Sequence, residues 1–258
     1  MAPQQPNELT AIEALSRIRA GSLPSQELVA ACLQRIEQRE DTVGAWKFLS
    51  PGQALDAARN ADNDPSDRPL RGIPVAVKDI FDTVDMPTTY RSPIYEGYRP
   101  PSDASCVARM RDAGGLVLGK TVSTEFAYFE PGKTANPHNP AHTPGGSSSG
   151  SAAAVADFMV PLALGSQTVG SILRPASYCG VVGYKPSFGL IDRTGVRPLA
   201  DTFDNVGVFS RSVADAAYLV SILSRRPALC LDGELETPPG IGLCRTHEWP
   251  AADEDVAT

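Results

Sequence analysis

Histidine is scarce in this chain, with three in 258 residues, so chemistry built on clustered imidazoles has little to draw on. His138 and His142 stand four apart, but Asn139 and Pro140 between them prevent a shared helical face. That argues against a metal site there, and His247 lies far from both. Cysteine is equally sparse in pattern: Cys32, Cys106, Cys179, Cys230 and Cys244 are odd in number and widely spaced, without a Cys-x-x-Cys pair. Such spacing excludes a disulfide framework and reads as free thiols in a reducing compartment. No apolar run reaches the roughly 20 residues that a membrane-spanning helix needs. The polar, proline-bearing start from Met1 to Glu8 lacks the form of a signal peptide, so a cytoplasmic location is expected. Positive charge is in deficit, with 23 Lys and Arg against 30 Asp and Glu. Direct nucleic-acid binding is therefore not expected, because a phosphate backbone calls for a cationic face.

The elements that are present alternate in type. Thr10 and Glu13 form a capping box before Ile12, Leu15 and Ile18. After Gly21 and Pro24, Ser25 is expected to cap a second helix whose Leu28, Val29, Cys32, Leu33 and Ile36 share one face. A third helix is expected over 53–61 and a polar loop over 62–69. Residues 72–81 read as an apolar strand interrupted by Lys78 and Asp79. A helix over 103–113 and a strand over 116–118 follow, then a stretch without hydrophobic period over 136–151. Residues 151–159 read as an alanine-rich helix, 160–164 as a strand, 181–182 as a short strand and 213–223 as a helix. This alternation indicates an α/β fold around a mixed sheet, in three α/β/α layers with helices on both faces. The whole of 1–258 reads as one domain, with 1–61 a helical segment packed on it. A further strand over 238–244 and a helical turn over 250–257 read as the opening of another βα unit, and a C-terminally incomplete domain is expected from this.

Two serine-rich glycine loops carry the chemistry. Pro144-Gly-Gly-Ser147-Ser-Ser-Gly150-Ser leads directly into a helix. A flexible linker would have the same composition, but a helix start also gathers backbone N–H groups that stabilise developing negative charge. Gly165-Ser-Gln-Thr-Val-Gly170-Ser171 follows a strand. A small-residue turn there can be ordinary, or it can expose a nucleophile beside an oxyanion hole. A serine nucleophile needs a base, and with so few histidines Lys78 is the best-placed alternative. To act at neutral pH, its amine must be deprotonated by burial among neighbours such as Val75, Val77, Ile80 and Phe81.

In register, these segments resemble the amidase signature family. The match runs through Gly72-Ile-Pro-Val-Ala-Val-Lys-Asp, Pro144-Gly-Gly-Ser-Ser-Ser-Gly-Ser and Gly170-Ser-Ile-Leu-Arg-Pro-Ala. It continues through Cys179-Gly-Val-Val-Gly-Tyr-Lys-Pro-Ser, Phe203-Asp-Asn-Val-Gly and Ser212-Val-Ala-Asp-Ala-Ala, covering about residues 8–245. The resemblance implies a Ser-cisSer-Lys triad: Ser171 as nucleophile, Ser147 as the bridging serine on a cis peptide, and Lys78 as base. It implies an oxyanion hole from the N–H groups of Thr168, Val169, Gly170 and Ser171, a small linear amide as substrate, and no metal or organic cofactor. A homodimer is the candidate assembly.

Two positions depart from the commonest family pattern. Gln167-Thr-Val-Gly-Ser171 replaces an Asp-x-Gly-Gly-Ser turn, and a φ above zero at Val169 would strain a β-branched residue. Arg174 stands three residues after Ser171, as in a malonamidase-like branch in which this arginine pairs with a substrate carboxylate; a role on loop carbonyls is equally open. Tyr128 and Phe129 are candidate walls of an acyl pocket. Besides a stand-alone amidase, the readings are the glutaminase subunit of a tRNA-dependent amidotransferase and a truncated, catalytically silent amidase-fold domain.

Overall fold

The computed structural model describes residues 4–231, 237–240, 242, 244, 245, 247 and 249–251. Helix α1 (Ala11–Arg19) opens with the expected capping box, Thr10 Oγ1 accepting from Glu13 N and Glu13 accepting from Thr10 N. Helix α2 (Ser25–Val43) buries Leu28, Val29, Cys32 and Ile36. Its cap differs from the expectation. Ser25 is the first helical residue, and its hydroxyl donates to Gly72 O at 2.6 Å. The orphan N–H groups of Ser25 and Gln26 are taken instead by the Asp62 carboxylate, at 2.7 and 3.0 Å. Asp62 can reach them because α3 (Pro51–Asn63) runs past the end expected for it.

Six strands form one mixed sheet: β1 (Trp46–Leu49), β2 (Pro74–Lys78), β3 (Leu116–Thr121), β4 (Leu162–Gln167), β5 (Val182–Tyr184) and β6 (Asn205–Ser210). Their spatial order is β1-β3-β2-β4-β6-β5. Strand β2 is parallel to β3 and β4, and the remaining pairings are antiparallel. Strands β2 and β4 lie inside the sheet and are buried along their whole length, which is why both read as short, nearly continuous apolar runs. Being parallel, they end at the same edge of the sheet, so Lys78 and the turn after Gln167 emerge side by side.

Helices α4 (Ser105–Asp112), α5 (Ser149–Ala156), α6 (Leu173–Cys179) and α7 (Val213–Ser224) complete the three α/β/α layers. Every residue of α5 is buried, and it lies across β2, β3, β4 and β6. Its small side chains allow that approach. At Gly150 a Cβ would sit 2.2 Å from Ala45 O, so only glycine fits.

Three elements lie outside the sequence expectation. Strand β1 makes the N-terminal segment part of the sheet rather than purely helical. Strand β6 fills the place between β4 and β5. Helix α6 accommodates Pro175 in its first turn, where a missing N–H costs nothing. Of the strand expected over 238–244, Pro238, Pro239 and Gly240 form no regular element, and 241 and 243 lie outside the described residues. Trp249–Ala251 form one 3-10 turn, and the rest of the expected helical turn, 252–257, lies outside the described residues.

Candidate active site

Lys78 ends β2 with its side chain inside the protein. It is fully buried, and Nζ lies 2.7 Å from Ser147 Oγ and 2.9 Å from Ser166 Oγ. Burial lowers its pKa from 10.5 to about 7, partly opposed by the negative charge of Asp204. Removing a cation from water penalises its charged form, and the two hydroxyls are neutral partners that offset only part of this. The amine is therefore substantially deprotonated near neutrality.

Ser147 belongs to the glycine-serine loop before α5. The Gly146–Ser147 peptide is cis. Gly145 has φ 74° and lies so close to Pro175 that a Cβ would be 3.0 Å from its Cα. This seats the loop against α6. Ser147 O accepts from Thr124 N at 3.1 Å, and Ser148 N donates to Ser171 O at 3.4 Å. The loop is thus ordered by specific bonds and does not behave as a linker.

Ser171 is buried at the turn leading into α6. Its hydroxyl makes no hydrogen bond to any described residue, so the structure joins Lys78 to Ser147 directly but leaves Ser171 Oγ as an unengaged neighbour. The loop before it is held by one side chain. Gln167 Nε2 donates to Val169 O at 2.9 Å, while its Oε1 accepts from Ile172 N and Leu173 N at 2.7 and 2.9 Å. Thr168 Oγ1 donates to Asp204 at 2.5 Å. Asp204 in turn accepts from Leu199 N and Ala200 N, tying the loop to the segment before β6. The strain expected at Val169 does not arise. Among the described residues, φ is positive at non-glycine positions 90, 91, 126, 127, 158 and 225, and Val169 instead points into solvent, 89% exposed.

Arg174 is exposed and donates twice to Gly146 O, from Nε at 3.1 Å and Nη2 at 2.7 Å. Of its two expected roles, this contact is the one on loop carbonyls. Arg174, Tyr128, Phe129 and Tyr178 line an open hollow of about 270 Å³ beside Gly146. Tyr128 and Phe129 meet edge to face there, 4.5 Å between centroids, and both are largely exposed. They form a rim rather than a buried pocket wall.

Four residues of this region did not stand out in the sequence as parts of the site's surroundings. Ser166 and Asn205 are ordinary strand residues in sequence, and Gln167 stood out only as a departure from a pattern. The fourth, Lys120, is also wholly buried. It donates to Phe81 O, Pro87 O, Thr83 Oγ1 and Thr88 Oγ1 and lies 3.5 Å from Asp79. Its pKa falls to about 8 through burial, with Asp79 pulling the other way. Saturated with acceptors, it braces the loop after β2. Cys179, near Ser171 in sequence, is buried with its thiol pushed up to about 12, which suits packing. Among the described residues no group of three or more His, Cys, Asp or Glu could hold a metal ion, and no helix is long and apolar enough to cross a membrane.

Comparison with known proteins gives the family and the fold. The Amidase family profile matches residues 27–229. The A-type subunit of glutamyl-tRNA(Gln) amidotransferase from Natranaerobius thermophilus is 41% identical over 228 residues, covering 84% of this chain and 46% of that protein. The corresponding subunit of Acidothermus cellulolyticus is 44% identical over 220 residues, covering 81% and 44%. Among solved structures, the native peptide amidase from Stenotrophomonas maltophilia superposes with a TM-score of 0.80 at 38% identity, covering 91% of this chain and 51% of that one. The corresponding amidotransferase subunit from Thermotoga maritima gives 0.73 at 35%, covering 92% and 52%. The chain spans about half the length of these relatives. With a buried lysine against a glycine-serine loop, a profile match over most of its length and this shared architecture, the chain belongs to the amidase family.

Proposed function

We propose that this chain carries the catalytic machinery of a serine amidase, with Ser171 as nucleophile, Ser147 as proton relay and Lys78 as base. The observation that carries the proposal is the buried contact between Lys78 and Ser147, in which burial lowers the amine to about 7. Lys78 takes a proton from Ser147 as Ser147 takes one from Ser171, and Ser171 Oγ bonds to the amide carbon. The carbonyl oxygen becomes an oxyanion, for which the N–H groups of Thr168, Val169, Gly170 and Ser171 serve as donors. As the C–N bond breaks, the leaving nitrogen receives a proton from Ser147, which recovers one from Lys78. Water then attacks the acyl-enzyme by the same relay, releasing a carboxylate. No metal or organic cofactor enters these steps.

A second reading, the glutaminase subunit of a tRNA-dependent amidotransferase, is favoured by the names of the relatives above. Both readings use the same three residues; glutamine turnover that depends on added partner proteins favours the second. The primary test is active-site labelling with a fluorophosphonate. Wild type is expected to label covalently and Ser171→Ala not to. A folded wild type that never labels would establish the catalytically silent reading, and equal labelling of Ser171→Ala would remove Ser171 as nucleophile.

A further inference from the structure

The loop of residues 168–171 has little apolar support. Val169 at its tip is largely exposed, and the side-chain bonds of Gln167 all close within residues 167–173. Those bonds shape the loop without fastening it to the rest of the molecule. At its Ser171 end it is fastened by a long bond, Ser148 N to Ser171 O at 3.4 Å. At its Thr168 end the bond is short. Strands β4 and β6 are antiparallel, and their register ends with Gln167 opposite Asn205. Thr168, one residue further along, therefore meets Asp204, one residue before β6, and its Oγ1 donates to Asp204 Oδ1 at 2.5 Å.

Asp204 is itself rigidly placed. Its Oδ2 accepts from Leu199 N and Ala200 N at 2.7 and 3.0 Å, while Phe203 N and Asp204 N donate to Ala200 O at 3.0 and 2.9 Å. Arg193 lies 3.8 Å from the same carboxylate oxygen. One carboxylate thus closes a turn on one side and grips the loop of Ser171 on the other. It also lines a narrow hollow together with Ser166, whose hydroxyl accepts from Lys78 Nζ. Its negative charge opposes the burial that lowers the pKa of Lys78. Among the described residues, the other elements packed on Lys78 bring no competing free charge. Strand β4 and helix α5 contain no charged residue, and Lys120 of β3 is engaged with Asp79. Arg174 of α6 is held by Gly146 O, and Asp201 is paired with Arg193.

We propose that Asp204 is a positioning residue of this site, one carboxylate that holds the oxyanion loop through Thr168 and brings its negative charge to bear on the base Lys78. This role rests on the amidase reading above, and it is exerted through Thr168 and Lys78. The charge matters because a base must hold the proton it takes. Proton transfer is most efficient when the base titrates near the working pH, and burial by itself would carry the amine further down. A negative charge nearby favours the ammonium that forms when Lys78 accepts a proton from Ser147. Asp204 therefore serves both ends of the relay: the N–H groups that receive the oxyanion and the amine that receives the proton.

The test follows the rate of fluorophosphonate labelling of the full chain against pH. The wild-type rate is expected to rise with pH up to about 7 and then level off. Asp204→Asn keeps the size of the side chain and removes its charge. Its rise should come at lower pH, because the ammonium of Lys78 loses its support, and its plateau should fall about 10- to 100-fold. Thr168→Val removes the bond and leaves the charge. Its plateau should fall about 10-fold while the rise stays at the wild-type pH, and Thr168→Ser should restore most of the rate. A rise in Asp204→Asn at or above the wild-type pH would reduce Asp204 to a structural residue and overturn this role. Labelling of Thr168→Val within about twofold of wild type would overturn it as well, and this limit decides alone if Asp204→Asn does not fold. A folded wild type that never labels would instead fail the amidase reading, and the role of Asp204 would fall with it.

Discussion

A lysine at the end of a buried strand either keeps its proton at a high desolvation cost or gives it up. Lys78 stands at the balance, titrating near 7 when folded and near 10.5 when unfolded. The consequences for activity and stability run in opposite directions. In the proposed relay turnover needs the neutral amine, so kcat/KM is expected to rise with pH up to about 7 and then level off. In Lys78→Met it should fall by about 10²–10⁴-fold across that range, as measured by amide hydrolysis. For stability, the unfolded chain holds this proton between pH 7 and 10.5 while the folded one does not, so stability rises with pH across the window and the full penalty applies below it. Chemical unfolding of Lys78→Met at pH 6 should therefore show a gain of about 1–4 kcal/mol that shrinks toward pH 10.5. Gln167 acts differently, by holding the loop on which Ser171 sits. Gln167→Leu should slow fluorophosphonate labelling about 10- to 100-fold, because small displacements of an oxyanion loop are expensive. Gln167→Glu keeps the acceptor for Ile172 and Leu173 and should lose less; equal rates in both variants and wild type would deny Gln167 a positioning role.

The elements are joined by caps as much as by apolar packing. Asp215, wholly buried near the start of α7, accepts from Ala11 N and Ile12 N at 3.1 and 2.9 Å. It caps α1 from a position about two hundred residues away, while Ser212 caps α7 through Asp215 N. Asp215→Ala would leave two buried-end donors unpaired and should cost about 2–3 kcal/mol in urea unfolding, with Asp215→Asn retaining part of this. A loss under about 0.5 kcal/mol would show that water replaces the carboxylate. The same kind of remote capping explains why Ser25 misled. Its residue type suits an N-cap, but Asp62 already occupies that role, which a local pattern does not reveal. Strand β2, helix α7 and the Thr10 box were legible because their signals are local. Strand β1 is four residues long with an exposed Lys47, and β6 has Gly207 at its centre. Each exists because neighbouring strands pair with it.

At the scale of the whole molecule, the thiols report on packing. Cys32, Cys106 and Cys179 are buried and pushed up to about 12 by desolvation. Cys244 is exposed, and Cys230 is half-buried against Ser221 Oγ at 3.0 Å. A thiol reagent such as DTNB should react with Cys244 first in native protein and reach the buried three only as the sheet and its helices unfold. Reaction of any of these three at the rate of Cys244 would contradict the packing of α2, α4 or α6. The fold class was evident at this scale too, since strands and helices alternate along the chain. The strand order was not, because β6 enters between β4 and β5 through contacts distant in sequence.

Residue types and spacing made Lys78, Ser147 and Ser171 a plausible set, because a serine nucleophile with few histidines at hand needs an amine base, and the resemblance to the amidase signature family in register is what made the set specific. What they could not supply is the environment of those residues. Lys78 meets Ser147 across 69 positions and Ser166 across 88, and only folding decides that the meeting place is buried. The charged residues were sorted in the same way. Arg174 drew attention by its spacing from Ser171, yet folding commits it to a loop carbonyl. Asp204, in a matched segment without a role of its own, is set against Thr168, because strand register and burial depend on neighbours that no local period encodes.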